Sequence, residues 1–346
     1  MKKLLTLLLF PTALLGASLE ERVSLLEEEM GQVSTETANQ TFGANFVPTN
    51  FQKGWIGIFI QGDLLYWHPK VGGTEYAYKL IGNALNLPQS SDIDDHSFNW
   101  GWGTRAALGI TFPGIGWEFV GTGTWYSTDQ TSTQTTGLPT ILINLKGAFL
   151  APSSKARSRY DLSYDEVLIE LRRTYSISRF LSTYTSIGAK RNWIDQDQHL
   201  HYKVAASQTY KVKDLCDFEG TGARLAFGTQ WHLVYGLSFL MNAGGSLLYG
   251  KYEVKHTESL TPMSSIHLHG NTHLFSPQVD FCLGLGWDLY TKGYHFGVSL
   301  NYEALYLWRQ NQALQLDDTV QNRLQVVRYA DDITFYGVTF KAKLEF

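Results

Sequence analysis

The feature that most restricts this chain is a period-two alternation of apolar and polar side chains, repeated in long segments from Trp55 to the C-terminus. Successive side chains of a strand point to opposite faces, so these segments form faces as strands and none as helices. Over 100–112, Trp100, Trp102, Leu108, Ile110 and Phe112 share one face; Gly101, Gly103, Arg105, Gly109 and Thr111 share the other. In the last segment Tyr336, Val338, Phe340, Ala342, Leu344 and Phe346 alternate with Gly337, Thr339, Lys341, Lys343 and Glu345. Similar segments cover about 55–68, 117–127, 158–173, 179–196, 213–231, 235–256, 271–289 and 294–309. Soluble strands usually run about five or six residues, whereas a strand crossing a bilayer needs about nine to eleven. The only long apolar run is at the extreme N-terminus, which excludes a bundle of membrane helices.

The connections separate a soluble sheet from a membrane barrel. Tight links are expected at 113–116, 175–178, 231–236 and 291–293, and long polar links at about 69–97, 128–157, 197–212, 257–270 and 310–330. Short and long links alternate strictly, as in outer-membrane barrels with short periplasmic turns and long external loops. The sequence therefore predicts an all-β, antiparallel transmembrane barrel of about ten strands over 54–346, with both termini on the periplasmic side. Strands hidden in the long links, for instance at 141–150, would raise the count to twelve. Ile56, Ile58, Ile60, Leu64 and Tyr66 would face lipid, as would Val279, Phe281, Leu283, Leu285 and Trp287 and, further on, Phe296, Val298, Leu300, Tyr302 and Tyr306. Trp100, Trp117, Trp231, Trp287 and Trp308 sit near segment ends, where interfacial aromatic girdles belong.

Ahead of the barrel, Met1-Lys2-Lys3 and the apolar stretch 4–15 form a secretory signal, with cleavage expected after Ala17. Residues 18–34 place Leu19, Val23, Leu26, Met30 and Val33 at heptad spacing. This short periplasmic helix either trimerises or tethers the protein, or stands as a solitary amphipathic helix. Residues 35–53 read as a linker. Cys216 and Cys282 allow one disulfide and exclude a disulfide framework. Lys plus Arg (28) against Asp plus Glu (32) gives no electrostatic reason to expect a nucleic-acid partner.

Several stretches resemble a known family. They are Phe59-Ile60-Gln61-Gly62-Asp63-Leu64-Leu65-Tyr66-Trp67, Gly188-Ala189-Lys190-Arg191-Asn192-Trp193-Ile194-Asp195-Gln196 and Phe218-Glu219-Gly220-Thr221-Gly222-Ala223-Arg224. Ser246-Leu247-Leu248-Tyr249-Gly250-Lys251, Asn301-Tyr302-Glu303 and Trp308-Arg309-Gln310-Asn311-Gln312 follow in the same order. Together they are similar to the pore-forming outer membrane proteins of Legionella, grouped with proteins like the chlamydial major outer membrane protein. The chlamydial protein is cysteine-rich and disulfide-linked, a role two cysteines do not support. The resemblance implies location in the bacterial outer membrane, a lipid environment, and passive passage of small hydrophilic solutes and ions. The terminal Phe346 resembles the signal read by the barrel-assembly machinery.

On this alternation the inward charges are Asp63, Glu118, Glu166, Glu170, Asp280, Asp288 and Glu303 against Arg105, Arg172, Lys190, Arg224, Lys341 and Lys343. They are read as pore-lining; their mixed sign predicts no one-sign selectivity ring. The same charges could instead pair inside a plugged barrel that serves a structural or adhesive role, its Thr/Ser/Gln-rich stretch 128–136 displayed as a loop. The architecture also resembles ten-stranded outer-membrane proteases. For a barrel-borne hydrolase that resemblance implies an Asp pair and an Asp–His pair at the external rim, where a His paired with a carboxylate could activate water. The candidates are Asp94-Asp95-His96, His199 with His201, His267 with His269 and His273, and Asp331-Asp332, none at a spacing that defines a nucleophile. No catalytic residue, metal or cofactor is expected.

Overall fold

The computed structural model describes residues 56–81, 92–112, 116–137, 140–148, 152–178, 180–205, 208–261, 264–291, 294–317 and 325–346. The signal segment, the heptad with Leu19, Val23, Leu26 and Met30, and the linker lie outside the described residues. The strands are β1 (Gly57–Val71), β2 (Ala77–Ile81), β3 (Ile93–Asp94), β4 (Gly101–Phe112), β5 (Trp117–Thr135), β6 (Thr140–Asn144) and β7 (Lys155–Ser178). They continue as β8 (Leu181–Ala205), β9 (Gln208–His232), β10 (Leu237–Thr261), β11 (Ser264–Thr291), β12 (Tyr294–Asp317) and β13 (Gln325–Glu345). Ten of them close into one barrel in the order β1-β13-β12-β11-β10-β9-β8-β7-β5-β4, every neighbour antiparallel. Phe346 completes the seam, its backbone exchanging hydrogen bonds with Ile58 in both directions.

The strand expected within 141–150 exists as β6, but it does not enter the barrel. It joins β2 and β3 in a separate three-stranded sheet, so the barrel count is ten and not twelve. Three expected long links are also corrected. The ranges 197–212, 257–270 and 310–330 are mostly strand, because β8 to β13 continue well beyond the lipid-facing band before they turn. The Thr/Ser/Gln-rich stretch 128–136 is likewise the outer part of β5 through Thr135 rather than a loop. Cys216 and Cys282 are both free, so the one disulfide the count allows is not formed.

Along each long strand the alternation changes phase. At membrane depth apolar residues face out: Ile58, Ile60 and Leu64 on β1, Val167, Ile169 and Leu171 on β7, Leu225 and Phe227 on β9 are exposed. Their interior neighbours are mostly polar or small, such as Gln61, Asp63, Glu170 and Arg224, with Phe59 and Leu168 as apolar exceptions. Further outward the pattern inverts. Leu65, Trp67 and Val71 on β1, Tyr160, Leu162 and Tyr164 on β7, and Cys216 and Phe218 on β9 turn into the lumen and are buried there. Their outward neighbours on β7 to β9 are Asp161, Asp195, Asp197, Lys211 and Lys213. Above the membrane, then, the barrel is built like a soluble protein, with an apolar interior and a charged exterior.

The small sheet fills the outer mouth. Tyr76, Ala77 and Leu142 from it pack with the inward-facing Ala156, Leu200, Tyr202, Tyr210 and Val212 of the wall. The described parts of these two links, 72–81 with 92–100 and 140–148, thus fold into the barrel instead of standing above it.

Candidate functional site

The lumen divides into three tiers. At membrane depth it holds a cavity of about 360 Å³, extending from His295 and Asp288 at the periplasmic end up to Trp67, Tyr164 and Leu305. Parity alone puts the acids and bases of neighbouring strands on its wall, and antiparallel register then sets them side by side. β1, β4 and β12 bring together Asp63, Arg105 and Glu303. Arg105 grips the Glu303 carboxylate with both terminal nitrogens at 3.1 Å and reaches Asp63 at 3.3 Å. This two-pronged geometry is the strong form of an arginine–carboxylate pair. Lys190 lies 2.7 Å from Glu166, which also accepts the Tyr164 hydroxyl. Arg224 stands 2.7 Å from Asp280 and 3.5 Å from Glu170, and Arg172 links Glu170 (3.5 Å) and Glu118 (3.8 Å). A methyl group at Gly244 would overlap the Arg224 guanidinium, so a residue without a side chain leaves the arginine its place. Lys343 contacts Glu345 at 3.2 Å and lies over the Phe59 ring. Lys341 lines the cavity next to Asp63 in register. Every charge expected to face inward does so, and most are joined in ion pairs.

Above the cavity comes the apolar tier. Leu65, Tyr164, Ile194, Leu248, Leu307 and Ile333, contributed by six strands, are each 0% exposed. Trp67, Tyr126 and Phe335 meet at ring distances of 5.5 to 5.9 Å. Inward-pointing side chains with no accessible surface mean that the lumen is filled at this level, as expected for a barrel only slightly wider than eight strands.

The outermost tier is the inserted sheet with its fastenings. Tyr202 donates its hydroxyl to the Tyr76 carbonyl at 2.5 Å, Gln198 donates to the Thr74 carbonyl at 3.2 Å, and Asn311 donates to the Gly72 carbonyl at 2.7 Å. The last of these depends on a break in register between Leu307 and Asn311, where Arg309 adopts a positive φ of 52°. That bulge turns Gln310, Asn311 and Gln312 inward together. At the other end of the insert, Lys146 donates to Gln198 (2.6 Å) and lies 3.6 Å from Asp214. The backbone amide of Ala148 donates to Glu258 at 3.0 Å.

Between Asp214 and Glu258 stands His256, wholly buried and bonded to both carboxylates, with Glu258 at 2.7 Å. Burial pulls this imidazole down, but the two hydrogen bonds and the two negative charges outweigh it and hold its pKa at about 9. Glu258 is lowered: burial opposes its charge, and hydrogen bonds from His256, Tyr210 and the Ala148 amide overcome that. His96 has the opposite environment. Burial, with Lys146 nearby, brings it to about 4 against the weaker opposing pull of Asp95. Its Nδ1 lies 2.9 Å from the Ser158 hydroxyl.

The hydrolase candidates do not converge. His96 lies inside the mouth, His199 is bound to Asp197 at 3.0 Å on the outer wall, and His267 and His269 face outward on β11. Asp332 accepts the Arg309 amide and the Tyr306 hydroxyl at the bulge. Among the described residues no group of three His, Cys, Asp or Glu side chains is placed to hold a metal. The sequence reading missed His256, Asp214, Glu258, Lys146 and Gln198. Their partners lie up to 124 residues away, as with Gln198 and Thr74, and only the phase inversion marks them as interior.

A family model described as the Legionella pneumophila major outer membrane protein precursor matches residues 47–346. No curated protein matches. Among solved structures, the outer membrane protease OmpT from Escherichia coli is similar at 10% identity, covering 87% of this chain and 98% of that one, with a TM-score of 0.41. The translocator domain of the autotransporter NalP from Neisseria meningitidis is similar at 8% identity over 94% and 93% of the two chains, TM-score 0.29. A FadL homologue from Pseudomonas aeruginosa is similar at 8% identity over 84% and 90%, TM-score 0.25. Scores at this level carry no inference about what the chain does.

Proposed function

The chain belongs to the family of the Legionella pneumophila major outer membrane protein, and it resides in the outer membrane; from that premise we propose that it is a channel for small hydrophilic solutes and ions, held shut by its own outer half. The observation that supports this most is the charged cavity at membrane depth. Ionisable groups inside a membrane are costly, and in transport proteins they line ion and solute paths. A barrel serving only as a wall could fill that space with apolar side chains, as this one does a few residues further out. The residues that would meet a solute are Arg105, Glu166, Lys190, Arg224, Asp280 and Lys341. Opposed pairs of this kind orient polar solutes without selecting one sign of charge. Catalysis has no place in this reading: His295, on the cavity wall, is held by Asp288 (3.0 Å) and Glu345 (3.1 Å) and belongs to the paired-charge lining.

The filled apolar tier favours a second reading, a non-conducting structural barrel. Planar-bilayer recording of the purified full-length protein separates the two. The channel reading expects rare, brief steps from the wild type. It expects larger and longer ones from Trp67→Ala combined with Phe335→Ala, which thins the apolar tier. Silence from both, with the barrel folded, supports the structural reading. Long-lived open steps from the wild type would contradict a closed resting state.

A further inference from the structure

The outer wall of β7, β8 and β9 carries a group of cations that nothing in the channel reading uses. Lys155 and Arg157 on β7, His201 and Lys203 on β8, and Lys211 on β9 are all exposed on the outward face. Register sets them against one another: Lys155 opposite Lys203, Arg157 opposite His201, and His201 opposite Lys211. Lys155 and Lys203 are like charges directly opposite across the ladder, which is destabilising, while His201, neutral at neutral pH, stands between the cations Arg157 and Lys211. Among the described residues none of the five has an ion-pair partner. The tier immediately below differs. There Arg159 bridges Asp129 and Asp161, and His199 and Lys213 share Asp197. The wall therefore neutralises its charges nearer the membrane and leaves them uncompensated above. His201 reports the same field: burial first, then Lys211, His199 and Arg157, lower its pKa.

The margins of the patch are hydroxyl groups. Thr133 and Thr135 of β5 stand beside Arg157 and Lys155, and Ser259 of β10 stands beside Lys211. Cations flanked by hydroxyls complement a ligand that carries both anionic groups and sugar hydroxyls. The level of the patch narrows the source. Lys203 lies ten residues beyond Trp193, which faces outward on β8 between Arg191 and Asp195, where the outer surface of that strand turns from apolar to charged. At about 3.3 Å per residue and a tilt near 40°, that is about 25 Å above the lipid. A sideways-facing surface at this height adjoins the sugar layer of the surrounding outer leaflet. We propose that this patch binds the phosphorylated core sugars of lipopolysaccharide, fixing the barrel among its neighbouring lipids.

The test uses the full-length protein in phosphatidylcholine nanodiscs, titrated with phosphorylated lipopolysaccharide core oligosaccharide over a range of salt. The variant is Arg157→Gln/Lys203→Gln/Lys211→Gln. All three positions are exposed, and heat-modifiable gel mobility verifies the folded barrel. A surface cation near an anionic membrane is worth about fivefold in binding, so the triple variant should bind about a hundredfold more weakly. Dephosphorylated oligosaccharide should lose binding to the wild type to a similar extent, and the wild-type affinity should fall steeply with salt. Equal affinity of the folded variant and the wild type would overturn the proposal. So would wild-type binding to heparin without binding to the core oligosaccharide, which would assign the patch to an external sulfated polymer.

Discussion

The two halves of the lumen solve opposite problems with one set of strands. At membrane depth the wall is apolar outside and the interior holds the ion pairs of Arg105, Arg172, Lys190 and Arg224 around a cavity of about 360 Å³. A few residues outward the wall is charged and the interior is a layer of buried Leu, Ile, Phe, Tyr and Trp with a sheet laid over it. The difference follows from the solvent outside. Lipid takes the apolar side chains and leaves the polar ones to face inward, where they must satisfy one another. Water reverses the sorting and lets the same ten strands form a hydrophobic core. A charged lumen and an apolar plug can therefore be written into one strand by shifting the phase of its alternation.

The comparison breaks most severely at Arg105. Its guanidinium contacts both Asp63 and Glu303, and Asp63 is buried. Arg105→Met should destabilise the barrel by about 3–5 kcal/mol, the usual consequence of leaving a buried carboxylate without its partner. Guanidinium unfolding in detergent micelles measures this. A change below about 1 kcal/mol would mean that water in the cavity screens the pair, and the inner half would then behave as an open solvent space.

His256 probes the outer half. Its pKa is raised to about 9, so its contribution is complete below about 6.5 and is lost as the pH rises towards 9. His96, lowered to about 4, acts in the other direction: its contribution is present above about 6.5 and is lost as the pH falls towards 4. Glu258, also lowered, adds to the acid side. Protection of the insert should therefore peak near pH 6.5, each limb amounting to about 3 kcal/mol. Hydrogen exchange of residues 140–148, corrected for intrinsic rates, reads this out. His256→Gln should remove the alkaline limb and leave the acid one. A flat profile between pH 5 and 9 would show that the fastening is not electrostatic.

Much of the inner half was legible because lipid enforces a strict pattern. Ile58, Ile60, Leu64, Val279, Leu285, Val338 and Phe340 mark outward positions, and every inward charge follows from their parity. The outer half was hidden by a change of phase. In β8, Ile187 faces out, while Ile194, Leu200 and Tyr202 face in, with Asp195, Asp197 and His199 outside. Read with the membrane phase, such a stretch is merely polar, and it passes for a loop. The inverted alternation was present all the same, and applying the opposite phase beyond Trp193 would have extended the strand. The insert was less accessible. Its fastenings, Asn311 to Gly72 and Ala148 to Glu258, join positions more than a hundred residues apart. No local spacing encodes such contacts, and the bulge at Arg309 that makes the first one has no glycine to announce it.

The smallest expected effect isolates the insert from the wall. Gly147 has a φ of 101°, in the left-handed region, and a methyl group there would overlap the Tyr210 hydroxyl and approach Glu258. The chain passes close to the wall at this point because the residue has no side chain. Gly147→Ala should loosen residues 146–148 by about 1–3 kcal/mol, the range for an overpacked contact with added backbone strain. The Lys146–Gln198 and Ala148–Glu258 bonds would be lost with it. Barrel unfolding should be unchanged, since Gly147 belongs to no barrel strand. Exchange at 140–148 should rise while exchange in the long strands stays fixed, and bilayer recordings should show open steps more often. If the barrel midpoint falls together with the protection of the insert, the two are one cooperative unit. The outer sheet would then be part of the wall's own core, and a movable stopper would have to be sought in the apolar tier beneath it.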